Sequence, residues 1–412
     1  MSFEKSVNSV IVVAGFSRSH LLNTVGMLNS AGVEVYGVSA IAPKLRFLPS
    51  KVVSFLKLDR FTYRRRLMNN SQIKQVQFPE LLYQLAVRVP NPSKSHLYRF
   101  LANSSFILFS KVAYKYSVKV SRDNKQSLLI RSGFGSAFSK DSRKFVSDAS
   151  LPHPYVLQSL IRTGEMRLEP IDKGDVISKL ILDDTKRADI ILVNSDFVKE
   201  SFLFAGVPEN KLVVAYLPPT GVFQEIIHQP RQITKSRNSR LRILFAGTFE
   251  ERKGLTEILS VAETSQNNSL PYDFIFIGQW GKNTRKLRER LGELENCRVQ
   301  TWKSQAALLE AMQEADVFLF PSRAEGGARV VTEAMCVGMP IITTRNSGSP
   351  IQHLHDGILV KPMDSDGISK WLLRLSSDDL LFDKLASQSR KSIEGLISSN
   401  NYLNTVCQIC SI

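Results

Sequence analysis

Cysteine is scarce in this chain, four among 412 residues, too few for the disulfide framework of a small secreted domain. Cys407 and Cys410 form a C-x-x-C, but no second pair or nearby histidine completes a zinc site, and they read as neighbours on one helix face. No apolar run reaches the roughly 18 residues needed to cross a bilayer. The start, MSFEKSVNSVIVVAG, runs straight into a strand-like segment without the pattern of a secretory leader, so a cytoplasmic protein is expected. Acids are in deficit, 38 against 54 lysines and arginines, and the net charge of +16 favours anionic partners: nucleotides, phospholipid headgroups or nucleic acid. The basic residues are not interleaved with a recognisable recognition module, so no nucleic-acid partner is expected.

What is present is a repeated rhythm. Val10 to Ala14 is a β-branched run ending at Gly15, followed by the helix-like HLLNTVGMLNSAG and a second run, VEVYGVSA. SLLIRSG, KFVSDAS, ADIILVNS and KLVVAYLP continue the strand pattern. The polar, basic stretch FQEIIHQPRQITKSRNSR breaks it, after which RILFAG, DFIFIG, CRVQTW, DVFLFP, PIITT and GILVKP alternate with helical patterns. The length exceeds one typical core. The expected architecture is α/β, with two Rossmann-like doubly wound domains facing each other across a cleft: residues 1–225, a linker at 226–240, residues 241–396, and a C-terminal helix at 397–412 that could cross back to the first domain.

Two glycine-bearing turns carry the candidate chemistry. In PSRAEGGARVVTEAMCVGMP, Glu325, Gly326 and Gly327 fall in the turn after a strand, and Glu333 lies on the helix that begins near Ala328 and Arg329. Glycines there let the main chain come close to a ligand, N–H groups at the helix start attract an anion, and a carboxylate can accept the hydroxyls of a ribose. The second turn, FAGTFEERKG, offers Gly247 and Thr248 at a strand end, and Arg252 and Lys253 to neutralise phosphate. Taken singly, each turn can also be read as ordinary surface; two at strand ends of one domain favour a nucleoside diphosphate.

These residues resemble the donor-binding half of the retaining family 4 glycosyltransferases, which have the two-Rossmann GT-B fold. The likeness covers 241–362: the E-x7-E at Glu325 and Glu333, EAM-x-x-G-x-P, ADVFLFPS, and the turn from Gly247 to Gly254. It continues more faintly through NSDFVKESFLFAGVPENKLVVAYLPPTGVF, RSGFG and SDASLPHPYVLQ. It implies a hexosyltransferase with Lys253 on the donor diphosphate, Glu325 near the hydroxyls of the transferred sugar, Glu333 on the ribose and His153 facing that sugar. The donor-binding set it implies is Gly15, Gly247, Thr248, Arg252, Lys253, Glu325, Gly326, Gly327, Ala328, Arg329 and Glu333. The donor would be a nucleoside diphosphate sugar, the acceptor a glycan or a lipid-linked glycan of a cell-surface polysaccharide, with no metal or other cofactor. Thr248 departs from the pattern, which commonly has arginine there, and Gly327 and Ala328 stand where an aromatic and a glycine are frequent. An epimerase or a non-catalytic nucleotide-sugar binder on the same plan is the alternative.

Three further features have simpler readings. Asp364, Ser365 and Asp366 spell the D-x-D of metal-dependent transferases, but they precede a helical pattern and suit an N-cap. His353 and His355 lack a third ligand. The basic, partly apolar segment 44–74 could lie on an anionic membrane at the inner face of the cytoplasmic membrane, or be a solvated helix.

Overall fold

The structure, a computed structural model, describes residues 9–16, 20–40, 73–76, 78–89, 95–121, 126–172, 175–227, 229, 240–281, 284–301, 304–399 and 401–411. Most of the expected linker at 226–240, and the segment 44–74 apart from Ile73 and Lys74, lie outside the described residues.

In the first half, β1 (Ser9–Phe16), β2 (Glu34–Ala40), β3 (Ile73–Gln75), β4 (Ser127–Arg131), β5 (Phe145–Ala149), β6 (Ile190–Val193) and β7 (Leu212–Val214) form one parallel sheet in the order β3-β2-β1-β4-β5-β6-β7. Both faces of β1 are buried, which is why it reads as an unbroken β-branched run rather than an alternating one. The helices are α1 (Leu21–Ser30), α2 (Phe78–Ala86), α3 (His96–Val120), α4 (Pro154–Thr163), α5 (Val176–Arg187), α6 (Asp196–Phe204) and the short α7 (Val222–Ile226), whose Phe223 packs into the second domain's core.

The second half contains β8 (Leu241–Phe249), α8 (Leu255–Asn267), β9 (Tyr272–Trp280), α9 (Arg285–Gly292), β10 (Cys297–Thr301), α10 (Gln305–Glu314), β11 (Val317–Phe320), α11 (Arg329–Val337), β12 (Ile341–Thr344), β13 (Ile358–Val360), α12 (Ser365–Ser377), α13 (Asp379–Ser398) and α14 (Asn401–Cys410). Its sheet runs β10-β9-β8-β11-β12-β13, again parallel. Both sheets are therefore doubly wound, as the strand rhythm predicts. In each, strand order reverses beside the first strand, between β1 and β4 and between β8 and β11, and it is at the carboxyl ends of strands at such a reversal that doubly wound sheets bind ligands.

The last helix, α14, leaves the second domain. Tyr402, Leu403, Val406, Ile409 and Cys410 are buried with Val10, Val12, Leu129 and Val146 of the first sheet. The Tyr402 hydroxyl meets Thr24 Oγ1 at 2.7 Å, and Ser127 Oγ donates to the Cys410 carbonyl at 2.7 Å.

Candidate active site at the second switch point

The sequence separates the two glycine turns by about seventy residues; the topology brings them together, because β8 and β11 are neighbours. The 3-10 turn Glu251–Lys253 follows β8, and the loop 321–328 follows β11. Arg323 N–H and Ser322 Oγ both donate to the Arg252 carbonyl, at 2.8 and 3.1 Å, so the loops are stitched to each other. Lys253 Nζ then lies 3.0 Å and Arg252 Nη1 2.8 Å from the same oxygen, Oε1 of Glu325. Neither contact is aligned as a hydrogen bond; Arg252 Nη1 instead donates to the Ala324 carbonyl at 2.6 Å. Lys253 also sits over the Phe320 ring, 5.2 Å from its centroid, and beside Gly247, where a Cβ would lie 3.6 Å from Nζ. Thr248, next along β8, is half-buried opposite Gln279 and supplies no cation.

Gly326 and Gly327 turn out to serve the seam between the domains. A Cβ on Gly326 would stand 1.8 Å from the Ser150 carbonyl oxygen, and one on Gly327 would stand 3.2 Å from Asn194 Nδ2. The main chain that needs this space belongs to the first domain. Ser195 Oγ donates to the Gly326 carbonyl across the seam, and Ala324 packs with Val156, Leu160 and Phe197. Glu325 and Ala328 donate their N–H groups to the carbonyls of Asn346 and Ser347, at 2.8 and 2.9 Å. Among the described residues the N–H groups of Gly326 and Gly327 have no acceptor, and they stand just ahead of α11, where an anion is favoured.

Glu333, one turn into α11, is 6% exposed. Among the described residues no hydrogen bond or ion pair holds its carboxylate, and burial pushes its pKa up to about 7, against a smaller lowering by Arg329 one turn earlier. Arg329 itself is exposed at the first position of α11. Its oxygens are not among the fully buried polar atoms and remain open to a hydroxyl donor.

His153 caps α4: its Nδ1 accepts the Tyr155 N–H at 3.3 Å, while its backbone N–H donates to Ser201 Oγ at 2.9 Å. Burial among Tyr155 and Phe202 lowers its pKa to about 4, so the ring is neutral near pH 7. With Nδ1 accepting, the ring proton is on Nε2, a donor. The helix it caps packs against the turn that carries Arg252 and Lys253. Gly15 lies near the end of β1 with φ +69°, and the ring of Phe134 lies 2.6 Å from where its Cβ would be. Both the left-handed backbone and the close ring favour glycine there.

Several residues here escape sequence reasoning. Arg323 and Glu257 form a buried pair beneath the loop, with Nε to Oε1 at 3.1 Å. Asn346 Nδ2 donates to the carbonyls of Gly164 and Arg323, at 2.7 and 2.8 Å, tying the end of α4 to the loop. At the carboxyl edge of the first sheet His20 Nε2 meets Asp148 Oδ1 at 2.9 Å, with Arg131 3.8 Å from the other oxygen. The only signal available was position: all but Glu257, which lies on α8, are at or just beyond the end of a strand. Asp364, by contrast, caps α12 as its sequence suggests, accepting the Gly367 N–H at 2.7 Å.

Residues 227–392 match the family described as Glycosyl transferases group 1, so the second sheet and its helices carry a domain of that kind. The chain is 28% identical over 182 residues to the amylovoran biosynthesis glycosyltransferase AmsK of Erwinia amylovora, covering 42% of each. It is 26% identical over 200 residues to an uncharacterized 41.2 kDa protein in the cps region of Klebsiella pneumoniae, covering 45% of this chain and 54% of that one. The chain thus spans about half the length of the curated relatives it matches. Among solved structures, one described as trehalose-6-phosphate from E. coli bound with UDP-2-fluoro glucose aligns over 98% of this chain and 99% of that chain, at 12% identity and a TM-score of 0.67. At that identity the likeness is one of fold, the two-domain GT-B plan.

Proposed function

We propose that the protein is a retaining glycosyltransferase that moves a hexosyl group from a nucleoside diphosphate sugar to a glycan or lipid-linked acceptor during assembly of a cell-surface polysaccharide. The observation that carries this reading is the convergence of Arg252, Lys253 and Glu325 at the switch point, with the unpartnered carboxylate of Glu333 on the helix behind them. The named role of AmsK in amylovoran biosynthesis supports the choice of pathway.

On this reading the donor diphosphate replaces Glu325 as the partner of Arg252 and Lys253. Their contacts with Glu325 are unaligned, so an anion with more oxygens competes well. The ribose hydroxyls donate to Glu333, and the base lies toward the pocket of about 390 Å³ lined in part by Ile277, Gln300, Thr301, Ser304 and Leu308. Freed from its cations, Glu325 accepts hydroxyls of the sugar, and His153 donates from Nε2. The bond from C1 to the phosphate oxygen breaks as the bond from C1 to the acceptor oxygen forms on the same face, and the acceptor's proton passes to the leaving phosphate. Retention rests on the likeness of the E-x7-E pattern to the retaining family. The acceptor enters from the carboxyl edge of the first sheet, where His20, Asp148 and Arg131 stand. The two cations and the loop amides offset the leaving group's charge, so no metal is required. A lipid-linked acceptor would place the enzyme at the inner face of the cytoplasmic membrane, with the segment 44–74 as one contact.

The test is a panel of nucleotide sugars, read first by thermal stabilisation and then by nucleoside diphosphate release with and without acceptor. Release that depends on acceptor, survives EDTA, and falls by orders of magnitude in Lys253→Ala and Glu325→Ala is expected. Near wild-type rates in both variants would remove the assigned roles, and conversion of the sugar nucleotide alone would indicate an epimerase.

A further inference from the structure

The loop that carries Glu325 has one peptide whose direction the second domain leaves undecided. The amides flanking it are fixed from within that domain. Glu325 N–H donates to the Asn346 carbonyl at 2.8 Å and Ala328 N–H to the Ser347 carbonyl at 2.9 Å, both acceptors lying in the 3-10 turn Arg345–Ser347 after β12. Between them stand Gly326 and Gly327. The planar unit joining these two carries the Gly326 carbonyl on one edge and the Gly327 N–H on the other, and because it is trans the two point in opposite directions. Turning that unit over changes only ψ of residue 326 and φ of residue 327. Both are glycine, so no Cβ opposes the turn. An aromatic residue, frequent at position 327 in the retaining family, would hinder it; the freedom belongs to this chain.

What decides the direction comes from the first domain. Ser195, fully buried at the junction of β6 and α6, donates its hydroxyl to the Gly326 carbonyl. The same oxygen accepts the Val198 N–H at 3.2 Å as the N-cap of α6, which leaves its proton for the carbonyl. Gly348, with φ +62°, makes room for the meeting, since a Cβ there would stand 2.8 Å from Ser195 Oγ. With the carbonyl held toward the first domain, the Gly327 N–H points away from Ser195, and among the described residues it has no acceptor. We propose that Ser195 is a positioning residue that acts across the seam, holding the Gly326 carbonyl so that the Gly327 N–H is aimed at a phosphate oxygen of the donor. With the carbonyl released, the peptide turns over and presents an oxygen to the anion in place of a proton. The donor half therefore offers its full set of anion-binding groups only while the first domain is docked on it, and donor binding and docking support one another. The role of Ser195 rests on the proposed reading of this loop as a diphosphate site.

The experiment is a double-mutant cycle between Ser195→Ala and Gly327→Ala in the full chain, read by calorimetry with UDP, GDP, ADP and inorganic pyrophosphate. The φ of Gly327 is not in the left-handed region, and turning the peptide over carries it there, where alanine is disfavoured. Gly327→Ala therefore holds the observed direction without help from Ser195. It asks only a small shift of Asn194, whose Nδ2 and carbonyl oxygen would lie 3.2 and 3.3 Å from the added carbon. Ser195→Ala alone is expected to weaken binding about ten- to hundredfold, the range for one hydrogen bond to a charged group. In the Gly327→Ala background the same change should cost less than about threefold. Ser195→Ala also removes a helix cap, but equally in both backgrounds. An equal weakening in both, or undiminished binding by Ser195→Ala, would thus overturn the proposal. A direct readout is the nitrogen-15 glycine spectrum, in which the Gly327 amide is assigned by its loss in Gly327→Ala. That resonance should move on addition of pyrophosphate to wild type and stay in place in Ser195→Ala; a resonance unmoved in wild type would refute the aim of the amide. Wild type that binds none of the four ligands refutes the diphosphate reading itself, whereas binding that is indifferent to the hydroxyl refutes the role of Ser195 alone.

Discussion

Replacing Glu333 with glutamine offers a test in which the structure fixes both sign and size. The unfolded chain gives up this proton near pH 4.5, whereas the folded chain holds it to about pH 7 because the carboxyl is buried. Between those values the folded form binds more protons, so stability falls as pH rises, by about 1.4 kcal/mol per unit. The accumulated cost above pH 7 is about 3 kcal/mol, an order-of-magnitude figure. Glu333→Gln keeps the shape and abolishes the titration. Its buried amide adds a constant offset, so the informative quantity is the difference between variant and wild-type unfolding free energies, measured by urea denaturation across pH. That difference should be flat below about pH 4.5, climb in the variant's favour up to about pH 7, and level off. His153 works in the opposite direction over nearly the same range, and taking the difference cancels it. A second readout is donor binding by calorimetry. Ribose hydroxyls donating to an ionised carboxylate make wild-type binding release a proton and weaken about tenfold per pH unit below 7, a dependence the variant should lack. A difference curve flat throughout would mean that the carboxylate is solvated or paired, and the case for a ribose site at Glu333 would fail.

Other outcomes follow from the same geometry. Gly326→Ala places a carbon 1.8 Å from the Ser150 oxygen, so the seam must shift; a loss of about 1–3 kcal/mol in unfolding free energy is expected, with transfer reduced at least about tenfold as the loop moves from its proper position. His153→Gln should flatten the loss of stability that wild type shows as pH falls from about 6.5 to 4, because the folded ring resists protonation while the unfolded ring accepts it; identical acid unfolding curves would contradict the burial. Asp364→Ala removes a helix cap and should cost about 1 kcal/mol in melting experiments while leaving transfer rates unchanged with or without added Mg2+; a large rate loss rescued by metal would reassign the D-x-D. Arg252→Ala is expected to weaken donor binding measured by thermal shift, since Thr248 offers no replacement cation.

The strand rhythm was legible because the central strands are buried on both faces and end at a glycine, proline or polar turn, as in RILFAG and DVFLFP. The α2–α3 hairpin was not legible for the opposite reason: serines and alanines line its buried face and leucine and phenylalanine its outer one, which scrambles the apolar period. The motif glutamates could be singled out by their pattern, yet their partners depend on which strands are adjacent. Nothing in the spacing of Glu325 to Glu333 reports that Arg252 and Lys253 share one oxygen of Glu325. The glycines at 326 and 327 could be identified as sites of close approach, but what approaches is Ser150 and Asn194, and that follows from how two separately folded sheets dock. Gly15 illustrates the converse, a glycine at a strand end whose space is filled by Phe134.

Helix α14 seals the hydrophobic interior of the first domain, although it follows the second domain in the chain. During synthesis that early lobe stays unsealed, with Val10, Val12, Leu129 and Val146 short of their final cover, until the donor lobe has also been produced. The two halves are consequently fastened twice, by the chain that runs between them and by α14, and a fragment ending before Tyr402 should require a substitute for this plug in order to remain soluble.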